Sequence, residues 1–111
     1  MEVITWNDFE KVEMRVGTII KAVDFPEAQK PAYQLTIDFG TEIGIKKSSA
    51  QIIKRYSKDD LIGKQIIAVV NFPKKQIGKF MSECLMLGAI KEDDVVLLTS
   101  DIKVENGLRI A

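Results

Sequence analysis

Histidine is absent from this chain, and cysteine occurs once, at Cys84. Without an imidazole the usual general base at neutral pH and the commonest metal ligand are missing. Neither a Ser/His/Asp nor a Cys/His nucleophilic site can be assembled. Carboxylate-only or Ser/Lys chemistry is all that remains, and the acidic clusters Asp59-Asp60 and Glu92-Asp93-Asp94 read as solvent-facing turns beside apolar segments. The expectation is a protein without catalysis, cofactor or metal. One thiol excludes an internal disulfide and suits a reducing compartment. Apolar runs are short: the longest, residues 66–70, has five residues, against roughly 20 for a helix crossing a bilayer, so membrane insertion is not expected. The start, MEVITWNDFEKVEM, carries an acid where a secretory signal carries a basic patch followed by an apolar stretch. A cytoplasmic location follows by default. Aromatic side chains are few, with five Phe, two Tyr and one Trp.

What the chain does have is sorted charge. Its 16 Lys and Arg balance its 16 Asp and Glu, but residues 44–79 hold Lys46, Lys47, Lys54, Arg55, Lys58, Lys64, Lys74, Lys75 and Lys79 against Asp59 and Asp60, a net +7. The flanking stretches are acidic, at −4 for residues 1–43 and −3 for residues 80–111. A concentrated positive zone on an acidic body is the footprint of a protein that meets a polyanion on one face. The plainer alternative is a solvated lysine-rich surface. At 111 residues, 46% hydrophobic and 29% charged, the chain reads as one globular domain spanning 1–111.

Residues 14–23, MRVGTIIKAV, are rich in β-branched residues and end at a loop where Pro26 and Pro31 forbid regular pairing. YQLTIDFG alternates Tyr33, Leu35, Ile37 and Phe39 with Gln34, Thr36 and Asp38, the period of a half-buried strand. IGIKKSS predicts a third strand. The spacing of Ile52, Ile53, Tyr56 and Leu61 predicts a short helix near residues 50–56. KQIIAVVNF is a fourth strand with an apolar middle suited to burial on both faces, PKKQIGK a basic loop, and MSECLMLGAI a fifth strand. VVLLTS and GLRIA are further extended pieces, and Thr5 or Asn7 can cap a helical turn through NDFEKV. Three strands, a short helix and two strands is the order of an all-β, five-stranded OB-fold barrel, which binds through strands two and three and the loops joining strands one to two and four to five. Lys30 falls in the first loop, Lys46 and Lys47 on strand three, and Lys74, Lys75 and Lys79 in the last loop. Adjacent strand residues project to opposite faces, so one of Lys46 and Lys47 points inward or sits beside a pocket.

The stretches EMRVGTIIKAVDFPEAQKPAYQLTIDFG, KKSSAQI, LIGKQIIAVVNFPKKQIGKFMSECLMLGA and NGLRIA together resemble a tRNA-binding domain family found at the ends of some methionyl- and phenylalanyl-tRNA synthetases. Within that family the resemblance runs to a branch of bacterial export-related chaperones. It implies an OB-fold core, terminal extensions that build a homodimer, and binding of tRNA or of unfolded, export-bound polypeptides. The family's acid-x-Arg-Val-Gly opening falls on Glu13, Arg15, Val16 and Gly17, its first-loop Pro-x-Ala-x-Lys on Pro26, Ala28 and Lys30, and its bracketing Asn and Ser on Asn71 and Ser82. Two departures stand out: Cys84 and Leu85 replace a glycine and a methionine, and strand three reads KKSSAQI where a Val-Ser-Gly type is usual.

The binding residues implied are Arg15, Lys30, Lys46, Lys47, Ser48, Ser49, Asn71, Lys74, Lys75, Lys79 and Ser82. Alternatives stay open for several: Arg15 can pair with Glu13, and the serines can donate to phosphate or simply fill barrel positions. With only Tyr56, Phe72 and Phe80 near the basic zone, an RNA ligand is expected to be held by backbone and shape more than by its bases. For a polypeptide ligand, Phe72, Ile77, Phe80 and Met81 are the expected apolar pocket, since flexible methionines suit promiscuous binding. A pure tRNA-binding accessory protein without a chaperone role is the other reading.

Overall fold

The computed structural model describes all residues, 1–111. Helix α1, Trp6–Glu10, begins at a reciprocal cap: the Asp8 amide donates to Thr5 Oγ1 and the Thr5 amide to Asp8 Oδ2, each at 3.1 Å. Strand β1, Met14–Asp24, then runs 11 residues. Its first half pairs antiparallel with β4, Gln65–Val69, and its second half with β2, Tyr33–Asp38. A bulge between Ile19 and Lys21 bends it from one partner to the other, as closing a sheet into a barrel requires. Helical turn α2, Gly40–Ile43, leads into β3, Ile45–Ala50, which pairs with β2. The sheet order β3-β2-β1-β4-β7 places β7, Leu85–Met86, at the far edge.

The barrel nearly closes where β3 meets residues 82–84. The Glu83 amide donates to the Lys47 carbonyl at 2.8 Å, the Ser49 amide to Ser82 Oγ at 3.3 Å, and Ser48 Oγ to the Cys84 carbonyl at 3.1 Å. Inside, Ile19, Leu35, Ile37, Phe39, Leu61, Ile66 and Ala68 are completely buried. Each of the larger ones contributes roughly 1.5–3 kcal/mol by leaving water. The alternation read in YQLTIDFG is the burial pattern observed, and the fold is the five-stranded OB-type barrel expected, with its short helix between β3 and β4.

Local details differ. The helix, α3, lies at Lys58–Leu61 and not at 50–56. Ser57 and Asp60 form its capping box, while residues 52–56 make a single turn closed by the Tyr56 amide on the Ile52 carbonyl. Ile52 and Leu61 are both buried but belong to separate elements, and only Ile52 and Tyr56, four residues apart, share a turn. The basic loop is in fact a hairpin, β5 (Lys75–Ile77) with β6 (Phe80–Ser82), turning at Gly78 with φ +61°. The expected fifth strand is one extended run that changes partners: β6 pairs with β5, β7 with β4, and β8 (Gly88–Lys91) with β9 (Asp94–Leu97). GLRIA lies beside β1, with an Arg15–Arg109 bridge and Val16 donating to the Leu108 carbonyl.

Candidate nucleic-acid interface

The outer face of β1, β2 and β3 and the β5–β6 hairpin above it enclose one groove. Three clefts make it up. Lys21, Val23, Gln34, Thr36, Lys47 and Phe80 line the first. The second shares Gln34, Lys47 and Phe80 with it and adds Phe25, Glu27, Gly78 and Lys79. The third continues past Glu27 and Gly78 to Lys30, Lys75 and Ile77. Register explains the lining. Lys47 stands opposite Thr36 and Ser49 opposite Gln34 on the outer face, whereas Lys46 and Ser48 stand opposite the buried Ile37 and Leu35. Lys46 is therefore half-buried on the core side, and Lys47 carries the exposed charge of the pair.

Charge pairing sharpens the picture. Lys54 with Asp93, Arg55 with Asp94, Lys58 with Asp24 and Lys74 with Glu83 form ion pairs, so four of the nine cations of the basic stretch are matched by carboxylates. The ammonium groups of Lys21, Lys30, Lys47, Lys75 and Lys79 have no carboxylate within 4.0 Å, and all five side chains line the groove. Lys21 escapes sequence reading because of the bulge. Strict alternation from Ile19 sends it inward, while the shifted register sets it opposite Thr36 on the outer face. Gln34 and Thr36 were legible as the polar side of an alternating strand.

Several residues implied by the resemblance lie elsewhere, in contacts that hold the fold. Arg15, 15% exposed, donates to Glu13 Oε1 at 3.0 and 3.2 Å and to the Gly107 carbonyl at 3.0 Å, which ties the C-terminal segment to β1. Asn71 accepts from the Glu13 amide and donates to the Lys11 carbonyl, which clasps the N-terminal segment. Ser48 and Ser82 are consumed by the barrel seam. Ser49 lends its amide to that seam, and its side chain borders the third cleft. Lys74 is held by Glu83, whose other oxygen accepts the Lys47 amide. Beside the seam, burial pushes the Cys84 thiol up to about 12, against the opposing pull of Lys46, so it stays protonated at neutral pH.

The four residues expected to form an apolar pocket do not converge. In the β5–β6 register Ile77 and Phe80 share one face, and Met81 pairs with Gln76 on the other. Phe72 and Met81 border none of the groove's clefts. An apolar cleft of about 440 Å³ does exist beside the third cleft, with which it shares Ser49 and Gln51, between the exit of β3, β7 and the β8–β9 hairpin, lined by Ile52, Leu85, Leu87, Ile90, Val95 and Leu97 among others.

The chain has counterparts among known proteins. A family model described as "Putative tRNA binding domain" matches residues 14–109. The chain belongs to the tRNA-binding domain family. Among solved structures, the chaperone CsaA from Bacillus anthracis str. Ames superposes with a TM-score of 0.94 at 49% identity, covering 99% of this chain and 100% of that one. The CsaA chaperone protein from Picrophilus torridus gives 0.92 at 60% identity, covering 98% and 100%. The methionine–tRNA ligase of Thermococcus onnurineus is 34% identical over 110 residues, 99% of this chain but 15% of that enzyme. The chain thus spans about 15% of the length of that curated relative. No helix of this tRNA-binding domain is long and apolar enough to cross a membrane.

Proposed function

We propose that this domain binds tRNA, without catalysis, through the groove over β2 and β3, acting in the cytoplasm as a homodimer. One observation carries the reading: five lysines free of carboxylates, drawn from β1, the β1–β2 loop, β3 and the β5–β6 hairpin, line a single groove, while other cations of the basic stretch are paired. A polyanion on that track releases counterions, so log affinity falls with log salt by about 0.7–0.9 per phosphate contact. The terminal segments support self-association. Ile4, Trp6 and Leu108 are exposed, and Arg109 donates to the Glu10 carbonyl, so both ends gather at one place.

The test is a tRNA titration at rising salt. Substituting Lys47, Lys75 and Lys79 together by alanine is expected to weaken binding by at least tenfold and to flatten the salt slope by about two. Lys58→Ala, which removes a cation already paired with Asp24, serves as control and is expected to change neither. Equal affinity and slope for the triple variant and the wild type sink the reading.

A second reading, capture of unfolded polypeptide, is favoured by the apolar cleft beside the β8–β9 hairpin, where Leu85 and Ile90 are exposed. Such binding would be insensitive to the groove lysines and only weakly dependent on salt.

A further inference from the structure

We propose that the middle of the groove is a subsite for one unpaired nucleotide, with Phe80 as the stacking wall, Lys47 and Lys79 on the flanking phosphates, and Glu27 selecting guanine. The proposal rests on the groove being an RNA track. Its starting point is the one carboxylate that lines the groove: Glu27 borders both the middle and the third cleft, is exposed, forms no ion pair within 4.0 Å, and makes no side-chain hydrogen bond within the chain. A free carboxylate between lysines repels phosphate and weakens an anion site. Water satisfies the exposed carboxylate in the free protein; against RNA it accepts from a ribose 2′-hydroxyl or from base N–H groups, and only a base sets two adjacent donors against its two oxygens.

The rest of the cleft agrees with a base. Its volume of about 480 Å³ lies within the roughly 300–1,000 Å³ range of small-ligand pockets. Its apolar lining consists of two aromatic residues, Phe25 and Phe80. Phe25 is 4% exposed and packs against Phe80 with ring centroids 5.3 Å apart and planes tilted by 55°, so the Phe80 ring is braced before any ligand arrives. A braced ring stacks a base at little entropic cost. Lys47 and Lys79 have no carboxylate partner and stand along the cleft, where a strand threading it would place its phosphates. Gln34, whose side chain also makes no bond within the chain, supplies an amide at the same cleft.

Base identity follows from donor pattern. Guanine presents two adjacent N–H groups, at N1 and N2, that match the two oxygens of Glu27, and its O6 can accept from Gln34. Uracil turns carbonyl oxygens to either side of its one N–H and is repelled by the carboxylate. Adenine and cytosine offer a single amino group beside an acceptor.

The experiment compares a labelled pentauridine with the same oligonucleotide carrying one central guanosine, alongside tRNA, by fluorescence anisotropy at low salt. Wild type is expected to bind the guanosine pentamer about tenfold more tightly. Glu27→Gln, an exposed change, is expected to abolish that preference, and Phe80→Leu to weaken both pentamers several-fold while thermal melting shows the barrel intact. Equal binding of the two pentamers by wild type, or a guanine preference that survives Glu27→Gln, overturns the subsite. If the pentamers bind too weakly to measure, tRNA affinity unchanged by both variants overturns it equally. Salt-dependent tRNA binding with no guanine preference sinks the subsite alone, whereas failure to bind either RNA sinks the groove reading beneath it.

Discussion

At Gly17 the sequence motif has a steric cause. A Cβ there would stand 2.7 Å from Ile37 Cγ2 and 2.7 Å from Phe39 Cδ1, and both neighbours are completely buried. Gly17→Ala is therefore expected to cost about 1–3 kcal/mol by overpacking, seen as a lower urea midpoint with an unchanged slope. An unshifted midpoint would show that the core yields freely there. Other motif residues act in the same structural way. Arg15 and Asn71 each join segments far apart in sequence, one the C-terminal piece and one the N-terminal piece. Their presence was plain in the sequence, and for Arg15 the pairing with Glu13 was one of two open readings. Their partners were not legible, because Gly107 and Lys11 come near only after the barrel has formed.

Among the elements, the β8–β9 hairpin is held at its tip by charge. Lys54 meets Asp93 at 2.9 Å, Arg55 meets Asp94 at 2.9 and 2.7 Å, and the Leu97 amide donates to the Tyr56 hydroxyl at 3.0 Å. The Lys54 and Arg55 hydrogen bonds hold both aspartates below the usual carboxylate range. A carboxyl that is depressed in the folded state binds fewer protons there than when unfolded. Its stabilisation is therefore complete above the ordinary aspartate value and fades as pH falls through the depressed one. Amide protection in β8 and β9, taken relative to the intrinsic exchange rate at each pH, is expected to fall over that acidic window while protection in β1 and β2 holds. Asp93→Asn with Asp94→Asn should remove the pH dependence of that protection, and protection in the double variant that still tracks pH would contradict the clamp. Strand β2 was legible because one of its faces is core and the other is not. The helix was displaced because Ile52 and Tyr56 have the spacing of one helical turn and form only that turn, whereas the Ser57–Asp60 capping box marked the true start.

Across the whole molecule, a net charge of zero conceals a division between paired and free cations. Both ends of the chain lie against the start of β1, where Trp6 is 79% exposed. If that patch is shared between two copies, light scattering will give twice the 12.5 kDa chain mass, and Trp6→Asp will return the mass to that of one chain. A wild type of 12.5 kDa at all concentrations would remove the dimer from the account.

By itself the sequence determined the barrel, through strand alternation and order, and the excess of positive charge in its middle. It also excluded histidine chemistry, since a missing residue type is missing in every conformation. Only the tertiary structure decided which cations are free. Lys74 is quenched by Glu83 and Lys58 by Asp24, while Lys21 and Lys30, from an acidic stretch, join Lys47 and Lys79 on one groove. Electrostatic attraction depends on distance through space, and a bulge at Ile19–Lys21 or a hairpin folded over β3 changes those distances without leaving a mark in composition.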